Sequence, residues 1–327
     1  MLLMSCNAAA QSIGVCYGQV ANNLPPAQKV IDMIQQNIIE KVRIFNPDQA
    51  TLNAIRGSNI SLVIGVPNED IQSIANDAAS ANNWVQNNIL KYSKDVNFKY
   101  IAVGNEINPS YDPTSKFVLP AMQNIYTALA SANLQIQIKI STAIHMPLLG
   151  ISYPPSAGAF SLSTIPYITP IVQFLVKTGA PLLANVYPYY SYIGDPKNIP
   201  LDYALFKQQG NNEVGYQNLF DAQLDSVYAA LEKVGGSDVK IVVSESGWPS
   251  AGGYSATTEN ALTYYTNLIN HVNTGNGTPM RPSQAIETYL FAMFDENQKP
   301  GAEIEHHFGL FNPDTSPKYI LSFNKIK

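Results

Sequence analysis

Two glutamates stand where apolar runs end. Residues 241–243 (IVV) are a short β-branched stretch that leads straight into Ser244-Glu245, and Gly247 and Pro249 close it. Residues 100–103 (YIAV) have the same form, followed by Gly104 and then Asn105-Glu106. A carboxylate at the end of a buried strand is costly unless it has partners or a task. A pair of them is what glycoside hydrolysis requires. One carboxyl protonates the leaving oxygen, and the other attacks the anomeric carbon or activates a water. Glu106 and Glu245 are far apart in the chain, so only folding can set them across one cleft. Trp248 offers a flat apolar face for a sugar ring. Asn105 is placed to donate a hydrogen bond to a sugar 2-hydroxyl, a contact that strengthens as positive charge grows in the transition state. A lone glutamate at a strand end is more often a surface or ion-pair residue. Two of them, each at a glycine-marked exit with Asn or Trp nearby, favour catalysis.

Carboxylates so placed need a scaffold that collects strand ends on one face. Apolar runs predict strands at 13–16, 41–45, 62–66, 100–103, 136–141, 182–187, 239–244 and 287–294. Helical spacing predicts helices between them at 26–37, 48–56, 81–92, 116–131, 165–177, 218–234 and 257–273, with a last short one at 317–323. Residues 146–160 read as a proline-rich loop, and 188–215 as a long irregular insertion with several tyrosines. Eight βα units with no shift in composition imply parallel strands, right-handed crossovers and a closed α/β barrel, the (β/α)8 TIM barrel, as a single domain over 11–327. In such barrels the active site lies at the C-terminal strand ends, where both glutamates fall.

The chain of 327 residues is 46% hydrophobic and 13% charged, which allows a large core. Its net charge of −5 argues against a nucleic-acid partner and against anionic membranes. No stretch is long and apolar enough to span a bilayer. The 19 tyrosines suit a neutral, hydroxyl-rich ligand, although core filling accounts for most of them. Cys6 and Cys16 form no CxxC or Cys/His cluster, and His306 and His307 have no third ligand at suitable spacing, so neither a metal nor another cofactor is expected. Residues 1–10 (MLLMSCNAAA) read as the end of a secretory signal peptide. Sequons at Asn59 and Asn276 agree with secretion.

The sequence resembles the plant endo-β-1,3-glucanases, glycoside hydrolase family 17. The shared pieces are IGVCYG (13–18), NNLP (22–25), YIAVGNE (100–106), SYPPSAGAF (152–160), NVYPYY (185–190), VVSESGWPSAGG (242–253), FAMFDENQK (291–299) and HFGLF (307–311). They run in family order over nearly the whole chain. The resemblance implies a retaining endo-hydrolase of β-1,3-glucan, with Glu245 as nucleophile held ionised by hydrogen bonds and Glu106 as acid/base. It also implies an acidic cluster, Glu287 and Glu296 flanking the last strand with Lys299 following, beside the catalytic pair. Asn105 and Asn185 are candidate substrate-binding residues, and Tyr17, Tyr187, Trp248, Phe160 and Phe308, at strand ends or in loops, are candidate sugar platforms with core packing as the alternative. Phe45 and Asn46 stand where relatives commonly carry Tyr and Asp, and His145 where an acidic residue is frequent, which bears on contacts at the cleft edge. A monomer secreted to the cell-wall space is expected, since the long C-terminal extension of basic vacuolar relatives does not follow Lys327. A defence role and callose turnover both fit. The alternatives are a mixed-linkage β-1,3-1,4-glucan endohydrolase and a non-catalytic glucan-binding wall protein.

Overall fold

A computed structural model describes residues 13–323, so the expected signal-peptide remnant lies outside the described residues. Eight parallel strands close into a barrel: β1 (Ile13–Tyr17), β2 (Lys41–Ile44), β3 (Ser61–Val66), β4 (Asn97–Asn105), β5 (Lys139–His145), β6 (Leu182–Asn185), β7 (Ile241–Ser246) and β8 (Thr288–Leu290). Consecutive strands are neighbours, and β8 pairs with β1 to complete the ring. The helices α1 (Ala27–Gln36), α2 (Gln49–Ala54), α3 (Ile71–Asn76), α4 (Ala78–Val85), α5 (Ser115–Ser131), α6 (Ile165–Thr178), α7 (Pro188–Gly194), α8 (Leu201–Ala204), α9 (Leu219–Lys233) and α10 (Thr258–Asn273) cover the outside. None of the described helices is long and apolar enough to cross a membrane.

The apolar residues fall into two layers, as strand alternation requires. One, led by Ile13, Val15, Val42, Ile64 and Ile101, lies between strands and helices. The other fills the barrel with Cys16, Val63, Tyr100, Ala102, Ala143, Leu183, Val242 and Tyr289. The Cys16 thiol donates to the Ser244 carbonyl there at 3.3 Å.

Several expected boundaries shift. Strand β5 starts later and reaches His145, and β7 runs past 244, so Glu245 is inside the strand and not beyond it. The expected helix 81–92 divides into α4 and a wider turn, Gln86–Leu90. Residues 146–160 hold a small hairpin, Leu149–Ile151 against Ala159–Phe160. The insertion after β6 is not structureless, since it carries α7 and α8. No helix forms at 317–323; Pro317 instead bridges to Phe311. Among the described residues after β8 there is only a single-turn helix, Glu303–His306.

Candidate active site

A strictly alternating strand would send Glu245 outward, because Val242 and Ser244 belong to the inward set. A register shift prevents this. Ala184 on β6 pairs with Val243, but its successor Asn185 pairs with Glu245, leaving Ser244 as an extra residue. Such a bulge re-aims the side chains that follow. Strand β4 does the same: Ala102 pairs with Ser141 and Asn105 with Ala143, one residue more on β4 than on β5. Gly104 takes φ +77° at this bulge, a left-handed backbone that glycine adopts without steric cost. Glu106 itself lies at φ +56°, unusual for a residue with a Cβ, and its N–H is fixed on the Ala143 carbonyl at 2.9 Å. The Asn68 side chain clamps Asn105 from both sides, accepting from its N–H at 2.8 Å and donating to its carbonyl at 3.0 Å.

The two carboxylates therefore meet. Asn185 Nδ2 donates to Glu106 Oε1 at 2.8 Å and to Glu245 Oε1 at 2.9 Å, and also lies 3.1 Å from Asn105 Oδ1. Two protons serve three acceptors, so one is shared. The two Oε1 atoms can be no farther apart than those two contacts laid end to end, short of the ~6.5 Å at which the carboxyl separations of inverting pairs begin. Glu245 receives two more donors, Arg43 Nη1 at 2.9 Å and the Tyr187 hydroxyl at 2.7 Å. Burial pushes the Glu245 carboxyl up from its ordinary range, and Glu106 adds to the push. Arg43 first, then Lys299 and Tyr187, pull it back. Three donors aimed at two oxygens are the environment of a carboxylate and not of a carboxylic acid.

Arg43 was not among the residues expected at the site, yet it organises it. From β2 it reaches across the barrel to Glu245, to Asn185 Oδ1 at 3.2 Å, to the Ser244 carbonyl at 2.9 Å and, through Nη2, to Asn105 Oδ1 at 2.8 Å. Its guanidinium lies 4.5 Å from the Phe45 ring centre. The signal was available: an arginine inside the apolar run KVRIF must be paired if it points inward.

A cleft of about 1010 Å³ opens over the pair. Of the candidate residues, Tyr17, Asn105, Asn185, Tyr187, Glu296, Lys299 and Phe308 line it, with Phe45, Asn46 and His145 also on its walls. Phe291, Tyr190 and Glu305 join them unforeseen. Tyr187, Phe291 and Phe308 meet edge to face, a rigid aromatic wall. Glu296 is fixed by the Val20 N–H at 2.9 Å, and Gly18 lies so close that any Cβ would strike its carboxylate. Burial pushes the Glu296 carboxyl up, with Lys299 opposing. Lys299 pairs with Glu305 at 3.0 Å, and Glu305 accepts from the Tyr190 hydroxyl at 2.6 Å.

Three expected residues are elsewhere. Trp248 is fully buried behind the wall, packed on Tyr189, Tyr192 and Tyr264, with its indole N–H on the Ser255 carbonyl at 3.0 Å. It cannot stack on a sugar. Phe160 is buried in the outer core from the small hairpin. Glu287 precedes β8 and so sits at the opposite, N-terminal end of the barrel. There it pairs with Lys99 at 2.7 Å and Lys41 at 3.8 Å, and accepts from the Tyr100 and Tyr289 hydroxyls. That end of a barrel serves stability.

The sequence model of the Glycosyl hydrolases family 17 matches residues 13–323. A glucan endo-1,3-beta-glucosidase of Vitis vinifera is 57% identical, with 99% of this chain and 95% of that protein aligned. An acidic isoform of the same name from Nicotiana tabacum is 58% identical, over 96% and 92%. Among solved structures, a beta-1,3-glucanase and allergen of Cryptomeria japonica pollen superposes with a TM-score of 0.92 at 48% identity, covering 95% of this chain and 99% of that one. One of two plant beta-glucan endohydrolases with distinct substrate specificities gives 0.90 at 46% identity, over 95% and 100%.

Proposed function

The chain is a glycoside hydrolase belonging to family 17, and from that premise we propose that it cleaves internal β-1,3-glucosidic bonds of laminarin- or callose-type glucans with retention of configuration. The observation that carries this reading is the single Asn185 amide bonded to both Glu106 and Glu245. An Oε1–Oε1 distance bounded in this way supports the ~5–5.5 Å spacing of retaining pairs over the wider spacing that inverting pairs need for a water.

Glu245, buried and facing Arg43, attacks the anomeric carbon and forms the glycosyl-enzyme. Glu106, the more exposed of the two, gives its proton to the leaving glucosyl oxygen. In the second half it takes a proton from the incoming water, which displaces Glu245. Asn105 and Asn185 hold the sugar 2-hydroxyl and the two carboxylates in one network. Tyr17, Tyr187, Phe291 and Phe308 flank the glucan, and no second chain is needed to complete the cleft.

Incubation with laminarin should release short oligosaccharides whose first-formed anomer is β by NMR; first-formed α product would refute retention. Glu245→Ala should bind laminarin and not turn it over, and persistent turnover would remove Glu245 from its role. Lichenan in parallel addresses the mixed-linkage reading, kept open by the structural relative that is one of two plant beta-glucan endohydrolases with distinct substrate specificities. The reading puts the enzyme outside the cell, and glycan on Asn59 or Asn276 of the plant-expressed protein would support that.

A further inference from the structure

His145 ends β5 beside Glu106, with Nδ1 3.8 Å from Glu106 Oε2. That is too long for a hydrogen bond as it stands, but catalytic contacts often tighten only once substrate is bound. The other ring nitrogen, Nε2, is buried without a partner. Burial pushes the imidazole down from its usual range, so the ring is neutral at neutral pH. Of the two neutral tautomers, one would bury an unpaired N–H at Nε2. The other leaves an unpaired acceptor there, which is the less costly orphan, and turns an N–H toward Glu106.

The two oxygens of Glu106 are not equivalent. Oε1 accepts from Asn185 at 2.8 Å, so a transferable proton resides on Oε2, the oxygen His145 faces. We infer that His145 is a positioning residue for the acid/base: its neutral Nδ1–H steadies Oε2 during the interval in which that oxygen has given up its proton. The imidazole neither gains nor loses a proton in the cycle. The proton leaves Oε2 for the glucosyl oxygen and is restored from the attacking water. This rests on the reading of Glu106 as acid/base. The other titratable groups facing Glu106 are Glu245 on β7, held through Asn185, and Tyr187 and Tyr190 after β6, with Arg43 on β2 one step away through Asn185.

The test is the pH profile of kcat/KM on laminarin for His145→Asp, His145→Lys and His145→Gln, each checked for an unchanged circular-dichroism spectrum. A negative charge at this distance opposes loss of the Oε2 proton, and a positive one favours it. The alkaline limb should move up by roughly one pH unit in His145→Asp and down in His145→Lys, with the acid limb and KM nearly unmoved. His145→Gln, an uncharged donor, should keep the wild-type limb. Folded Asp and Lys variants that both titrate like wild type would overturn the inference. Glu106→Gln separates this from failure of the parent reading. If Glu106→Gln loses laminarin cleavage but keeps cleavage of an aryl glucoside with a good leaving group, the parent reading holds and the His145 variants decide alone. If it cleaves laminarin normally, both fail.

Discussion

The Arg43 guanidinium and the Glu245 carboxylate form a buried ion pair at 2.9 Å, with the arginine 1% exposed. Neither charge could be there without the other, because removing one leaves the other desolvated and uncompensated. Arg43→Met keeps much of the side-chain volume and deletes the cation. The expected outcome is a loss of at least 100-fold in kcat/KM and a destabilisation of about 3–5 kcal/mol in urea unfolding. A variant with near-wild-type activity would show that Glu245 does not depend on this partner.

Tyr187 offers a finer probe, since it donates to Glu245 at 2.7 Å and pulls the carboxyl downward against burial. In Tyr187→Phe that restraint is gone, so Glu245 holds its proton to higher pH. In the proposed role of nucleophile Glu245 must be ionised, so the acid limb of kcat/KM should shift upward and the alkaline limb should stay. A downward shift of the acid limb would contradict the stated cause. The hydroxyl itself, pushed far above its usual range by burial and then by Glu245, stays protonated throughout.

Trp248 separates packing from binding. Trp248→Ala should cost about 3–5 kcal/mol through the cavity left among Tyr189, Tyr192 and Tyr264. The KM for laminarin, measured well below the lowered Tm, should stay within about threefold of wild type, since ~0.6 kcal/mol is the scale of thermal energy. A tenfold rise in KM with unchanged Tm would restore Trp248 as a sugar platform.

Glu287→Gln tests the far end of the barrel. The substitution removes the counter-charge of Lys99 and Lys41; burial already pushes the Lys41 ammonium down from its ordinary range, and Glu287 opposes that push. The expected loss is roughly 1–3 kcal/mol of stability with kcat and KM unchanged. A fall in kcat without a fall in Tm would bring Glu287 back into the catalytic group.

The fold class and the two glutamates were legible in the residues. Eight apolar runs separated by helical spacing leave little besides a closed parallel barrel, and a carboxylate at the end of a buried strand is a local, readable anomaly. Arg43 shows what was readable and passed over: a charge inside an apolar strand carries the same signal as Glu245. Trp248, Phe160 and Glu287 show what neighbouring motifs obscure. Trp248 lies close in sequence to Glu245 and Glu287 to Phe291, both in the cleft, and Phe160 ends a motif of its own, but sequence position does not fix the side of a strand, or the end of a barrel, on which a side chain emerges.

That choice was made by the tertiary structure. Two single-residue bulges, after Ala102 and after Val243, turn Asn105, Glu106 and Glu245 into the barrel mouth. Each exists because neighbouring strands of unequal local length must keep their hydrogen bonds in register around a closed ring. Periodicity along one strand carries no record of its neighbours' lengths. The chain by itself determined which groups could do the chemistry; barrel closure decided that Glu106 and Glu245 meet on one Asn185 amide at the mouth of a single cleft.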